Sequence, residues 1–326
     1  MNRTRIARSR IEPLPTPRPL DEYCAGRFTY LSREQWRTEI SAGTVALDGL
    51  AAADAAVMVS GGELLAWTGS PAAEPEIDER IVILSADEWF VAVDKTGNLP
   101  VHPGGRYFNN TLVRLLEARF GRRVFPAHRL DRETSGVVVL AFDGRTAGRL
   151  SAALAAGAKE YLALVHGTFP AEGLTVELPL GRAESAVAKK RRAWPGGSEN
   201  ALTRFRAVLA AGGISLVRCF PETGRLHQIR AHLLAAGFPI VGDKLYGRDE
   251  TAFLDFIKTG MTAELQDRLV LPRQALHASR LVFTHPFTQR ETILRAPLPE
   301  MFTGLLRARE SRDRSRTGGD QGGGLG

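Results

Sequence analysis

FPAHRLDRETSGVVVLAF, residues 125–142, crowds His128, Arg129, Asp131, Arg132 and Glu133 just ahead of the apolar run Val137–Leu140. A short continuous apolar run entered through Ser135-Gly136 reads as a buried strand. Ionisable groups at the mouth of such a strand lie at the edge of a core, where burial and neighbouring charge shift pKa values and make chemistry accessible. A loop aspartate ordinarily caps a turn or pairs with a nearby arginine. The density of charge here, backed by an apolar strand, singles out Asp131 for more than that.

Outward from this stretch the chain alternates strand and helix patterns. EWFVAVDK (88–95) reads as a strand, and NNTLVRLLEARFG (109–121) as a helix with an Asn cap and a closing glycine. RTAGRLSAALAAG (145–157) is a second helix. KEYLALVHG (159–167) alternates, which puts Tyr161, Ala163 and Val165 on one face of a half-buried strand. The pattern predicts an α+β catalytic domain over residues 81–305 with a mixed, largely antiparallel sheet. Before it come an extended basic tail over 1–19, a small α/β unit over 20–70 and a Pro/Ala/acidic linker over 71–80; the polar, Gly-rich 306–326 reads as a disordered tail.

The whole chain has 326 residues, 43 Lys and Arg against 36 Asp and Glu, net charge +7. Its pI near 9.8 suggests a polyanionic partner, most simply nucleic acid. Cys24 and Cys219 stand far apart, in no metal-like spacing, and read as buried inert thiols in a reducing compartment. No apolar run is long enough to span a bilayer, and the N-terminus lacks the apolar core of a signal peptide. The expectation is a cytoplasmic monomer with no membrane association, no obligate protein partner, no metal and no cofactor.

Three further segments offer chemistry to set beside Asp131. In ETGRLHQIRAHLLAAGFPIVGDKLYG (222–247), Thr223 and Gly224 open a predicted helix, with Leu226, Ile229 and Leu233 as its inward stripe. Arg225 then falls in the first turn, unfavourable for the helix dipole, which implies a specific anionic partner. His227 and His232, five apart, share no face and argue against a metal site; His227 reads as a hydrogen-bonding structural residue. Tyr161 would stack on a planar ligand. AVAKKRRAWPGG (186–197) places Lys189, Lys190, Arg191 and Arg192 beside Trp194 in a Gly/Pro loop suited to gripping phosphates.

These segments resemble the RluA-type RNA pseudouridine synthases. HRLDRETSGVVVLA resembles the signature of that family, KEYLALVHG its second motif and GRLHQIRAHLLAAGFPIVGDKLYG its third. DKTGNLPVHPGG (94–105) is similar to its opening motif, with Thr96 where proline is usual, and ALHASRLVFTHP (275–286) to its closing one. The resemblance implies the pseudouridine synthase fold and cofactor-free isomerisation of uridine in RNA: the N1–C1′ bond breaks, the uracil turns, and it rejoins through C5. It implies Asp131 as the catalytic aspartate, Tyr161 as the active-site tyrosine and Arg225 as the buried arginine that keeps Asp131 ionised. Arg129 would fill the space left by the flipped base. His128, Arg129, Arg132 and Lys189–Arg192 would contact RNA, either tRNA or rRNA. Asp131 could be nucleophile or base; VHPGGRYFNNTL (101–112) leans toward tRNA-modifying members.

Residues 20–70 resemble a small RNA-binding domain of a ribosomal protein. They carry three basic and seven acidic residues, net 3 − 7 = −4, so a weak RNA grip is expected. Two other functions fit parts of the pattern. One is a non-catalytic RNA-binding or chaperone protein on the same fold. The other is a two-carboxylate glycosidase, which would need Glu133 or Glu222 beside Asp131.

Overall fold

The structure, a computed structural model, describes residues 5–28, 31–69, 74–183, 190–249 and 251–317. The chain divides into two compact units: residues 1–77 with 102–119, and residues 78–101 with 120–326.

In the first unit, helices Leu20–Arg27 and Arg33–Ser41 accompany a four-stranded antiparallel sheet. Ser32 and Gln35 form a reciprocal capping box at the second helix, satisfying two backbone donors that the first turn cannot. Trp36, Ile40, Val45 and Trp67 are buried, with the two indoles edge-on at 5.0 Å. Asp21 is sealed among them and takes hydrogen bonds from Arg33 and Arg37. The expected tail over 1–19 is corrected. Arg5–Arg10 is a strand paired antiparallel with Leu64–Gly69 along its whole length. Arg8 and Arg10, both exposed, are compatible with an edge strand, where one backbone edge and the outward side chains meet water.

The expected boundary over 71–80 is also corrected, for the part described. Residues 102–119 belong with the first unit. Glu74 accepts backbone N–H groups from Phe108, Asn109 and Asn110 at 2.8–2.9 Å, so it is a fixed anion ahead of helix Leu112–Phe120 rather than part of a loose linker. Residues 71–73 lie outside the described residues.

The second unit is built on a ten-stranded sheet. Its main path runs Leu174–Glu177, Leu202–Ala211, Ile214–Pro221, Ala158–His166, Leu276–Thr284, Ser135–Ala141, Phe90–Lys95, Ile81–Ala86. Every junction on that path is antiparallel except one. Ser135–Ala141 and Leu276–Thr284 pair in parallel, at Ser135↔His277 and Gly136↔Ala278 only. The strands approach so closely there that a Cβ on Gly136, whose φ is +113°, would lie 2.3 Å from the Ala278 carbonyl oxygen. Ser135 Oγ and His277 Nδ1, 2.9 Å apart, tie the same junction.

Helix Gly144–Ala156 starts on an Asp143 cap, whose side chain accepts from Thr146 N at 2.9 Å. It buries Leu150 and Leu154 in the cluster that holds Val137, Val139 and Phe283. A second cluster gathers Ala163, Val165, Phe205, Val217, Ile229 and Leu233. Both cysteines are buried. The expected tail over 306–326 is corrected as far as Thr317: Glu300–Thr317 is a helix, anchored by buried Phe302 and Leu306 and by Asp313, which accepts from Gly212 N at 2.7 Å. The apolar pair at its start gives a polar sequence something to hold.

Candidate active site

The turn carrying Asp131 is pinned from its backbone. Thr134 N donates to the Asp131 carbonyl at 3.1 Å, and Leu99 N to the Arg132 carbonyl at 3.1 Å. Lys95, fully buried, donates Nζ to the carbonyls of Thr96 at 2.8 Å and Arg132 at 3.2 Å. Burial pushes its pKa down to about 7. Gln274 Nε2 reaches Thr134 Oγ1 at 2.6 Å. Asp131 is thus a side chain on a rigid loop, as a precise site requires.

Asp131 Oδ2 accepts from Arg230 Nη1 at 2.7 Å. The same guanidinium forks onto Asp243, Nε to Oδ2 at 2.7 Å and Nη2 to Oδ1 at 2.8 Å. Asp243 Oδ1 also accepts N–H groups of Leu245 and Tyr246, each at 2.9 Å. Burial works to raise the Asp131 pKa, but Arg230, by charge and hydrogen bond, outweighs it and holds the carboxyl below its ordinary value. The Arg230 pKa rises: desolvation opposes this, and Asp243 and Asp131 overcome it. The Asp131 side chain is 21% exposed and that of Asp243 fully buried, so one carboxylate can meet a ligand and the other cannot.

The expected partner, Arg225, is corrected. It is exposed, and its Nε donates to the Asn200 carbonyl at 3.3 Å. The helix begins at Gln228, not at Thr223, because His227 at its N-cap has left-handed backbone, φ 57°. Of the expected inward stripe, only Leu226 is lost. Leu226 is 38% exposed, while Ile229 and Leu233 are buried. Gln228 ties the non-helical lead-in down, accepting from Arg225 N and Thr223 Oγ1 and donating to Leu202 O and Thr203 Oγ1. The missed residues are Arg230 and Asp243. Their sequence signal was a charge in each of two apolar contexts, HQIRAHLL and FPIVGDKLYG.

A pocket of about 510 Å³ opens over this corner, lined among others by Arg129, Asp131, Lys159, Tyr161, Arg225 and His227. Burial, and next the Asp131 charge, raise the Tyr161 pKa, which keeps it a neutral phenol suited to stacking. Arg129 lines the pocket and is exposed. His128 does not supply a cation. Its Nε2 accepts Val139 N at 3.1 Å, and burial lowers its pKa to about 4. Arg132 turns away from the pocket to Asn98 at 3.0 Å and Glu133 at 2.8 Å. Glu133 also pairs with Lys244, and Glu222 with Arg204. Neither glutamate lines the pocket. Among the described residues Asp131 is its one carboxylate, which removes the second carboxylate that a glycosidase needs.

Part of the basic loop is a β-hairpin, Leu180–Arg182 against Arg191–Ala193. Lys190 lies over the Tyr246 ring at 5.9 Å and Arg192 over Trp194 at 5.8 Å. Arg191 pairs with Glu199. Lys189 lies outside the described residues.

The profile of a family described as RNA pseudouridylate synthase matches residues 89–235. A "tRNA pseudouridine(32) synthase, mitochondrial" of Saccharomyces cerevisiae is 36% identical over 61% of this chain and 44% of its own length, so the chain spans under half of that relative. A "Ribosomal large subunit pseudouridine synthase D" of Zymomonas mobilis is 30% identical over 86% of this chain and 90% of its own. A solved structure, "Human RNA Pseudouridylate Synthase Domain Containing 4", superposes with a TM-score of 0.55 at 26% identity, covering 71% of this chain and 93% of that one.

Proposed function

The chain belongs to the RNA pseudouridylate synthase family, and on that premise we propose that it isomerises uridine to pseudouridine in structured RNA, with Asp131 as the catalytic carboxylate. The observation that carries this reading is the division of labour at Asp131. Arg230 occupies Oδ2, while Oδ1 makes no hydrogen bond of ordinary length among the described residues; the carboxylate faces a pocket that Tyr161 also lines.

An ionised Oδ1 can attack C1′ of the target ribose or remove the C2′ proton, and either route releases the uracil from N1. The freed ring turns and bonds to C1′ through C5, which displaces Asp131 from C1′ in the first route and is accompanied by return of the proton to C2′ in the second. The C5 proton is lost and N1 gains one, so no atoms or electrons are gained or lost overall. Tyr161, held neutral, stacks on the uracil; a phenol of raised pKa is a poor resting base. The target nucleotide must leave its stack to enter the pocket, at a cost of a few kcal/mol. Stacking on Tyr161 and insertion of Arg129 into the vacated space offset part of that cost. Lys190 and Arg192 add phosphate contacts.

Relatives named for tRNA and for ribosomal RNA support RNA as the substrate class. Residues 20–70 are proposed as an RNA-binding-like segment of weak grip, given their net charge 3 − 7 = −4. No helix among the described residues is long and apolar enough to cross a membrane; a cytoplasmic monomer is the proposed working form. The test is to map pseudouridine in total RNA from wild-type and deletion cells, then restore the missing sites with purified protein. Restoration by wild type and not by Asp131→Asn is expected. Restoration by both would remove Asp131 from the chemistry, and restoration by neither, or no missing site, would favour a non-catalytic RNA-binding role.

A further inference from the structure

The hydrogen-bond chain beside Asp131 continues past Arg230. His227 Nε2 stands 3.7 Å from Asp131 Oδ1, the oxygen that Arg230 leaves open. Its other ring nitrogen, Nδ1, is 3.0 Å from the Tyr246 hydroxyl. That hydroxyl accepts the backbone N–H of Arg191 at 2.7 Å. A backbone N–H can only donate, so the phenol's own proton is available to point at His227. With the phenol proton on that side Nδ1 accepts, and the ring's single proton is then on Nε2, facing Asp131.

We infer that His227 is a positioning residue, locked in its Nε2–H tautomer by Tyr246 and aimed at the reacting oxygen of Asp131. This rests on the reading of Asp131 as the catalyst. Three features support it. Burial holds His227 neutral, its pKa lowered to about 4, so it offers a dipole and no competing cation. Its backbone is in the left-handed region, φ 57°, which a non-glycine residue keeps only where its surroundings demand it. And 3.7 Å is beyond hydrogen-bond length. The N–H therefore orients Oδ1 electrostatically without occupying the lone pair that the substrate needs. The lock also reaches the basic hairpin, since Arg191 belongs to strand Arg191–Ala193. A hairpin settled on RNA would hold Tyr246, and through it the tautomer.

The test uses the full chain and one target RNA, measuring kcat, KM and the urea midpoint together. His227→Phe removes the donor; His227→Gln keeps an amide N–H near the Nε2 position; Tyr246→Phe removes the lock alone. His227→Phe should lower kcat by about 100-fold with KM within about threefold, the scale of one preorganised donor. His227→Gln should recover at least about tenfold of that, and Tyr246→Phe should lose about tenfold. Nitrogen-15 spectra of wild type should show His227 protonated on Nε2, with Nδ1 as acceptor. A His227→Phe kcat within twofold of wild type, Gln no better than Phe at an unchanged urea midpoint, or a proton found on Nδ1 would each overturn the inference. Should His227→Phe alone fail to fold, Tyr246→Phe and the spectra decide. Asp131→Asn in the same assay separates the two readings: if it turns over, the proposed function fails; if it is inactive while both His227 variants are fully active, only this inference fails.

Discussion

Asp21 in the first unit and Asp131 in the second are both held by arginine, in inverted arrangements. Asp21 meets two guanidiniums, Arg33 at 2.8 Å and Arg37 at 2.7 Å; the arginines are 46% and 58% exposed, the carboxylate 3%. Asp131 shares one guanidinium with Asp243; here the arginine is 9% exposed and Asp131 itself 21%. In the first corner the anion is sealed and its counterions are solvated. It ties helix Leu20–Arg27 to helix Arg33–Ser41, and its oxygens are used up. In the second the cation is sealed and divided between two anions, so neither is fully satisfied by it. Asp243 makes up the difference with backbone N–H groups, whereas Asp131 keeps one oxygen facing the pocket. Whether a buried ion pair holds structure or does chemistry depends on which partner is left accessible.

The sharpest way to break this contrast is to neutralise each carboxylate. Asp131→Asn should lower turnover by about 10⁴-fold or more, since both candidate steps need the charge, with RNA affinity within several-fold. Asp21→Asn should leave kcat unchanged. Single-turnover assays on one RNA decide, and a loss of kcat in the Asp21 variant would erase the distinction.

Removing the cations comes next in size. Arg230→Met strands the buried Asp243 and the partly exposed Asp131 and should cost roughly 3–5 kcal/mol of stability, unless one of them takes up a proton. Arg37→Met, at an exposed position, should cost at most about 1 kcal/mol. Arg225→Met should resemble Arg37→Met in urea unfolding, and a large loss there would restore Arg225 as a buried partner.

Acid sharpens the comparison further. The Arg33 hydrogen bond, above all, draws the Asp21 pKa from 3.8 down to about 2. A carboxyl depressed in the folded state contributes stability that is fully present above its unfolded value and is lost as pH falls through the folded one. Wild type should therefore exceed Asp21→Asn by roughly 1–2 kcal/mol above pH 4, a figure discounted for the solvated arginines. The two should converge near pH 2, and a constant gap from pH 6 to pH 2 would show that the charge is not what Asp21 contributes.

The smallest effect belongs to Lys190 and Arg192, which lie over the rings of Tyr246 and Trp194. Replacing Lys190 and Arg192 together by Ala should flatten the salt dependence of RNA binding by roughly 1.4 units, about 0.7 per phosphate, with stability unchanged. A slope that does not move would take the hairpin out of the RNA contact.

Much of this was legible in the chain itself, for identifiable reasons. Val137–Leu140 is apolar on both faces, so its place in the sheet followed from pattern, and Asp131 from its place at the strand mouth. Alternation put Tyr161 on one face of its strand, and its part in the site was implied only by the family resemblance. Arg230 was not legible. The helix start was read from Thr223-Gly224, and nothing local announces that a histidine will adopt a left-handed conformation and delay the helix to Gln228. With the start at Gln228, Arg225 falls in the exposed lead-in, and the helix is buried from Gln228 to Leu233, Arg230 included. Strand Arg5–Arg10 was hidden for a different reason: its pairing with Leu64–Gly69 spans the whole first unit, and a basic edge strand carries no apolar face to betray it. Glu74 went unread because its function is to receive amides from residues 108–110, a contact that no spacing rule encodes.

The parallel junction at Ser135-Gly136 is the seam across which the candidate site is assembled. Strands 81–86, 90–95 and 135–141 lie on one side of it, and strands 158–166, 202–211 and 214–221 on the other. The junction itself is slight, resting on the two residue pairs Ser135↔His277 and Gly136↔Ala278. Asp131 stands on the first side and Arg230 on the second, 99 positions apart. A glycine whose missing side chain lets two strands touch therefore bears on how near a carboxylate from one half and a guanidinium from the other can come.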